Sequence, residues 1–150
     1  MAKLHFHYST MNAGKSTSLL QSNHNYEVRG LKTYLFTPKV DADLHEGLIH
    51  SRLGLEKKAN IFNDSFNFYD YFKLKENENI ACILVDEAQF LSEDQVKQLA
   101  QVCDKYNIPV MCYGIRTDFR GELFQGSMSL LAYAGTLVEV KTICEHAGCL

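Results

Sequence analysis
The chain has 150 residues, of which 46% are apolar and 22% charged, with a net charge of -3. That composition fits one soluble globular domain with enough apolar material for a core, and its acidic balance argues against a nucleic-acid polymer as partner. No apolar run is long enough to span a membrane and the first residues lack the apolar stretch of a secretory signal, so a cytoplasmic setting is expected.

Leu4, Phe6 and Tyr8 form an apolar strand pattern over residues 3–8. His5 and His7 alternate with them and read as one face of a sheet edge rather than a ligand pair. Next comes Ser9-Thr10-Met11-Asn12-Ala13-Gly14-Lys15-Ser16-Thr17. It fits the phosphate-loop pattern G-x-x-x-x-G-K-[ST] with Ser9 at the first position. Gly14 can take backbone angles closed to other residues, so the chain can curl round an anion. Backbone N–H groups of the loop and of the following helix then face the phosphates. Lys15 adds a full positive charge, and the Ser16 hydroxyl suits a magnesium ion. The helix is expected over residues 15–29, with Gly30 as its stop.

A strand over residues 32–37 follows. Residues 40–61 hold Asp41, Asp43, His45, Glu46, His50 and Arg52, whose spacing fits no defined metal pattern. This stretch reads as a solvated loop near the nucleotide. A helix is expected at roughly 66–75. Ile80–Val85 is apolar throughout, as a central strand covered on both faces should be. Ser92 and Gln95 have the spacing of a capping box that opens a helix at Glu93–Tyr106, with Val96, Leu99, Ala100, Val102 and Cys103 as its buried stripe. Strands are expected at 109–115 and 136–143. Alternating strands and helices predict an α/β fold with a central parallel sheet flanked by helices. Cys82, Cys103 and Cys112 read as small buried hydrophobes. Five cysteines in a chain of cytosolic character give no disulfide framework.

Asp86-Glu87-Ala88-Gln89-Phe90 follows the apolar strand directly. Ligands gather at such strand ends in an open parallel sheet. Asp86 is placed to hold the magnesium that Ser16 also touches. Glu87 beside it can serve as general base. These residues reach an ATP-type nucleotide with magnesium, but leave the acceptor open: water would make an ATPase, an alcohol a kinase. Asp86-Glu87-Ala88-Gln89 also resembles a helicase DEAD-type box, and a non-catalytic nucleotide-binding fragment is the third reading.

Three stretches together resemble the zinc-containing, cytosolic-type thymidine kinases. They are Ser9–Ser16, Val85–Phe90 and the run Cys112-Tyr113-Gly114-Ile115-Arg116-Thr117-Asp118-Phe119-Arg120-Gly121-Glu122-Leu123-Phe124; Lys141-Thr142-Ile143-Cys144 closes the match. Bacterial members of that family also carry serine at the loop's first position. The resemblance implies a RecA-like phosphate-loop core and transfer of the ATP γ-phosphate to the 5′-hydroxyl of thymidine, a step in pyrimidine salvage for DNA synthesis. It implies Glu87 as catalytic base. ATP contacts would come from Ser9, Thr10, Met11, Asn12, Ala13, Gly14, Lys15 and Ser16 and from Asp86, Glu87, Ala88 and Gln89. Met11, Phe90, Ile115, Phe119 and Phe124 match positions lining the thymine pocket, and a flat base wants such apolar and aromatic walls. The family is usually homotetrameric and carries a structural zinc.

The sequence departs from the family in two places. Asp43 stands where relatives often carry an arginine near the phosphates. The family also continues past this point into a zinc-held hairpin and a lasso-like loop over the thymine ring. Here Cys144, His146 and Cys149 offer three zinc ligands where a structural site takes four. The expectation is therefore a C-terminally truncated member: residues 1–143 as the nucleotide-binding kinase core, and 144–150 as a remnant or altered start of the zinc-bearing segment. Loss of the lid should weaken thymidine binding.

Overall fold
A computed structural model describes residues 2–9, 15–40, 47–50, 56–117 and 121–140, with His50 described by its backbone alone. The elements are β1 (Leu4–Ser9), α1 (Lys15–Glu27), β2 (Lys32–Pro38), β3 (Leu48–His50), β4 (Glu56–Lys58), β5 (Asn60–Phe62), α2 (Phe68–Lys73), β6 (Ile80–Val85), a 3-10 turn (Ala88–Phe90), α3 (Glu93–Tyr106), β7 (Val110–Ile115), α4 (Gln125–Tyr133) and β8 (Thr136–Glu139). Six strands form one sheet in the order β5-β2-β6-β7-β1-β8, and every pairing in it is parallel. This is the α/β architecture that the alternating pattern predicts.

The apolar strand β6 shows why the sheet is covered on both sides. Ile80, Ile83 and Val85 join one buried cluster with Phe68 and Phe72 of α2, Val96, Leu99 and Val102 of α3, and Leu130 of α4. Cys82 and Leu84 face the other way and meet Leu19 and Leu20 of α1. From Cys82 to Val85 the side chains alternate between two dry layers, as strand geometry requires. Phe36 on β2 is fully buried and meets Phe68 and Phe72 edge-on, with ring centroids 5.1 and 5.9 Å apart. Cys82, Cys103 and Cys112 are free, buried thiols. Burial pushes Cys82 and Cys103 up to about 12 and Cys112 well above the ordinary thiol range, so they pack as hydrophobes.

Helix ends follow local rules. At α3, Gln95 N–H donates to Ser92 Oγ at 3.1 Å and the Gln95 side chain accepts from the Ser92 N–H at 3.0 Å. The same buried carboxamide donates to the carbonyls of Asn63 and Phe66, which pins the strand-to-helix loop before α2. α1 stops at Glu27, two residues short of the expected end, and the chain turns over Val28–Gly30, where Gly30 has φ +73°. α2 is also shorter than expected, with Asn67 as its cap: the side chain accepts from Asp70 N–H at 3.0 Å.

Four expectations are corrected. The stretch 40–61 is not all loop. β3 and β4 form an antiparallel hairpin, Ile49 of β3 is fully buried under α1, and β5 extends the main sheet beside β2. α4 was not expected at all. Strand β8 ends at Glu139 among the described residues. β1 is not an edge strand, because β8 lies outside it.

His5 and His7 do share one face, with ring centroids 6.4 Å apart, and His7 stacks on Tyr113 at 4.4 Å. Burial, with a smaller push from His5, lowers the His7 pKa to about 4. The folded ring therefore resists the proton that an unfolded histidine takes near pH 6.5. Its contribution to stability is complete above about pH 6.5 and is lost as pH falls toward about 4. Melting temperature should fall across that window, and fall less in His7→Phe, which keeps the ring stack. Parallel curves for the two proteins would count against His7 as the origin.

Candidate active site
Parallel strands all point their C-terminal ends the same way. β7 lies between β1 and β6, so the C-terminal ends of β1 and β6 flank its end. Ser9 at the end of β1 pairs in register with Ile115, and Val85 at the end of β6 with Cys112.

Five charged or polar side chains meet there. Lys15, the first residue of α1, donates from Nζ to a carboxylate oxygen of Glu87; the two side chains are 13% and 20% exposed. The other Glu87 oxygen accepts from Gln89 Nε2. Ser16 Oγ lies 3.4 and 3.5 Å from the two carboxylate oxygens of Asp86, which is buried. Asp86 N–H donates to the Phe36 carbonyl at 2.8 Å, which carries the β2–β6 pairing one residue past the strand. Ser9 Oγ is buried and has no hydrogen-bond partner among the described residues, which leaves a polar group at the base of the loop.

The backbone at Glu87 is unusual. It sits in the left-handed region with φ +50° and ψ +45°, and caps the 3-10 turn without a side-chain hydrogen bond to it. A non-glycine residue held there costs energy and persists only where its surroundings enforce it. The conformation sends the chain sharply away from the strand end and leaves the Glu87 side chain facing Lys15.

Two glycines enforce the turn. A side chain at Gly126, in the first turn of α4, would come within 2.5 Å of the Ala88 carbonyl oxygen and 2.7 Å of that of Gln89. One at Gly114 on β7 would come within 2.8 Å of Gln89 Oε1 and 3.0 Å of its backbone nitrogen. The turn 88–90 is therefore pressed between β7 and α4. Ser127 Oγ donates to the Ile115 carbonyl, and Ile115 N–H donates to Gln89 Oε1 at 3.2 Å.

The oxygens of Ser16 and Asp86 suit a hard divalent cation. Magnesium takes oxygen ligands at about 2.0–2.1 Å, which places neighbouring ligands roughly 3 Å apart. The observed separation is close to that. Among the described residues there is no cluster of three or more His, Cys, Asp and Glu side chains that could hold a metal.

An apolar wall borders the acid pair. Phe90 is half exposed and its ring meets Phe124 with centroids 6.3 Å apart. Ile115 is partly buried at the end of β7. Of the five residues expected to line a base pocket, the structure gathers these three at the strand end that holds Glu87; Met11 and Phe119 lie outside the described residues. So do Thr10, Asn12, Ala13 and Gly14 of the loop, Asp43, and Cys144, His146 and Cys149. Sequence reasoning overlooked Gly126 and Ser127. Gln89, expected among the nucleotide contacts, bonds through its side chain to Glu87 and to Ile115 N–H of β7. The only sequence signal for the glycine was a Gly-Ser pair at a helix start.

A family model described as thymidine kinase matches residues 2–149. A thymidine kinase of Shewanella oneidensis is 54% identical over 149 residues, covering 99% of this chain and 77% of that protein. One of Legionella pneumophila is 54% identical over 151 residues, covering 99% and 71%. One of Salmonella typhimurium is 52% identical over 145 residues, covering 96% and 71%.

Proposed function
The chain belongs to the thymidine kinase family, and from that footing we propose that it transfers the γ-phosphoryl group of ATP to the 5′-hydroxyl of thymidine at the site formed by Lys15, Ser16, Asp86 and Glu87. The observation that carries this assignment of the site is the meeting of a phosphate-loop lysine with the acid pair after β6.

Each residue has a physical role in the reading. The ATP phosphates lie against the loop and the start of α1, where N–H groups and the Lys15 charge offset their charge. Ser16 and Asp86 would hold magnesium, which when bound neutralises charge on the terminal phosphates. The acceptor lies on the wall of Phe90, Ile115 and Phe124, with its 5′-hydroxyl toward Glu87. Glu87 takes the hydroxyl proton as the oxygen attacks the γ-phosphorus, and the bond from that phosphorus to the bridging oxygen of ADP breaks. The ammonium that would meet the phosphates is paired with the carboxylate that would take the proton, so phosphates and Glu87 compete for Lys15.

Magnesium at Ser16 and Asp86, a cytoplasmic setting and assembly into a homotetramer belong to the same proposal. The test is labelled phosphate transfer from magnesium ATP to thymidine. Labelled thymidine monophosphate is the expected product. Release of labelled inorganic phosphate at the same rate with and without thymidine, and no nucleotide product, would overturn the reading in favour of an ATPase.

A further inference from the structure
Gln89 is buried, with 4% of its surface exposed. Its carboxamide has two partners of opposite kind. Oε1 accepts from Ile115 N–H at 3.2 Å, and Nε2 donates to the carboxylate of Glu87. The orientation is fixed by chemistry. Ile115 N–H can only donate and an ionised carboxylate can only accept. A flipped amide would set N–H against N–H and oxygen against oxygen.

The backbone on either side is equally constrained. Ile115 is held through its carbonyl by Ser127 Oγ, and Ser127 is fully buried. The Gln89 main chain is packed against Gly114 and Gly126 with no room for a methyl group at either. Among the described residues, the hydrogen bonds to the Glu87 carboxylate come from Lys15 and Gln89. Once phosphates draw Lys15 away, Gln89 is the donor of that pair that still holds the carboxylate. It ties Glu87 to the end of β7, the strand that supplies Ile115 to the apolar wall.

We infer that Gln89 is a positioning residue for phosphoryl transfer: one buried carboxamide sets the base at a fixed place relative to the wall on which the acceptor lies. The inference rests on Glu87 acting as the base. Loss of the tie lets the carboxylate leave its line to the hydroxyl, and a displacement near 1 Å can lower rate by about 100-fold. Nucleotide binding should change little, because among the described residues the Gln89 side chain bonds to Glu87 and to β7.

Two variants test this together with Glu87→Ala. Gln89→Met fills a similar volume and removes both bonds. Gln89→Leu also removes both, and neither adds charge beside Glu87. Thymidine phosphorylation, binding of a non-hydrolysable ATP analogue and melting temperature are measured for each. The expected result is a kcat lower by about 10- to 100-fold in both variants, with KM for ATP and analogue affinity within about threefold of the parent. A parental kcat in Gln89→Met, with Glu87→Ala inactive, overturns the positioning role and leaves the base assignment standing. Activity that survives in Glu87→Ala overturns the base assignment itself. A kcat loss matched by equal losses of ATP affinity and melting temperature in both variants makes Gln89 a folding residue and also overturns the inference.

Discussion

Glu87→Gln is expected to lower the rate of thymidine phosphorylation by about 10²- to 10⁴-fold and to leave ATP affinity unchanged or higher. The two halves of that result come from different bonds. A carboxamide has the shape of the carboxylate and can still accept from Lys15, but it cannot take the 5′-hydroxyl proton. The rate loss corresponds to about 3–5 kcal/mol of transition-state stabilisation. Affinity behaves differently because Lys15 is ion-paired with the Glu87 carboxylate. Removing that negative charge removes an anion that competes with the phosphates for the same ammonium. Lys15→Met supplies the contrast: it should weaken ATP binding as well as lower the rate. Steady-state transfer assays and calorimetry with a non-hydrolysable analogue separate the effects. A Glu87→Gln protein that transfers phosphate within threefold of the parental rate would remove Glu87 from the role of base.

Where sequence pattern and packing obey one rule, the fold was readable before any coordinates. Ile80–Val85 has apolar side chains on both faces because both faces are covered, and its bounds match the expectation. The capping box at Ser92 and Gln95 is a local motif and appears as expected. α4 was illegible for a physical reason. Its buried residues are Gly126, Ser127, Ser129 and Leu130, while Met128 and Tyr133 are exposed. A helix that buries small and polar groups and exposes large apolar ones inverts the signal that periodicity reads. The inversion is the price of letting the turn 88–90 come close. The hairpin β3–β4 was hidden by its charge: Glu56, Lys57 and Lys58 are all exposed, and only Ile49 marks the strand opposite as buried. At the site, Lys15, Ser16, Asp86 and Glu87 were legible because each type carries its chemistry at motif spacing. That Glu87 needs a left-handed backbone was not, since glutamate carries no signal for it.

Gly126→Ala is expected to cost more in turnover than in stability. Helix propensity alone favours alanine over glycine by about 1 kcal/mol, so an isolated view of α4 forecasts a more stable protein. Packing opposes this. The new methyl carbon would lie 2.5 Å from the Ala88 carbonyl oxygen and 2.8 Å from the Gln89 carbonyl carbon. Ordinary contacts of carbon with a carbonyl oxygen lie at about 3.3–3.6 Å. These are backbone atoms with no rotamer through which to escape, so the turn or the helix must move by several tenths of an ångström or more. Overpacking of this kind costs about 1–3 kcal/mol, partly offset by the helix gain. The net loss in stability is therefore small, on the order of 0–2 kcal/mol. The turn that moves carries Glu87 at its cap and Gln89 within it. A shift approaching 1 Å there lowers turnover by up to about 100-fold, with ATP affinity retained because the phosphate loop is on a different element. Denaturant melts and transfer rates for Gly126→Ala distinguish the outcomes. A variant that is more stable and fully active would mean that α4 can retreat without dragging the turn, and the enforced left-handed geometry at Glu87 would then need another source than the Gly126 contact.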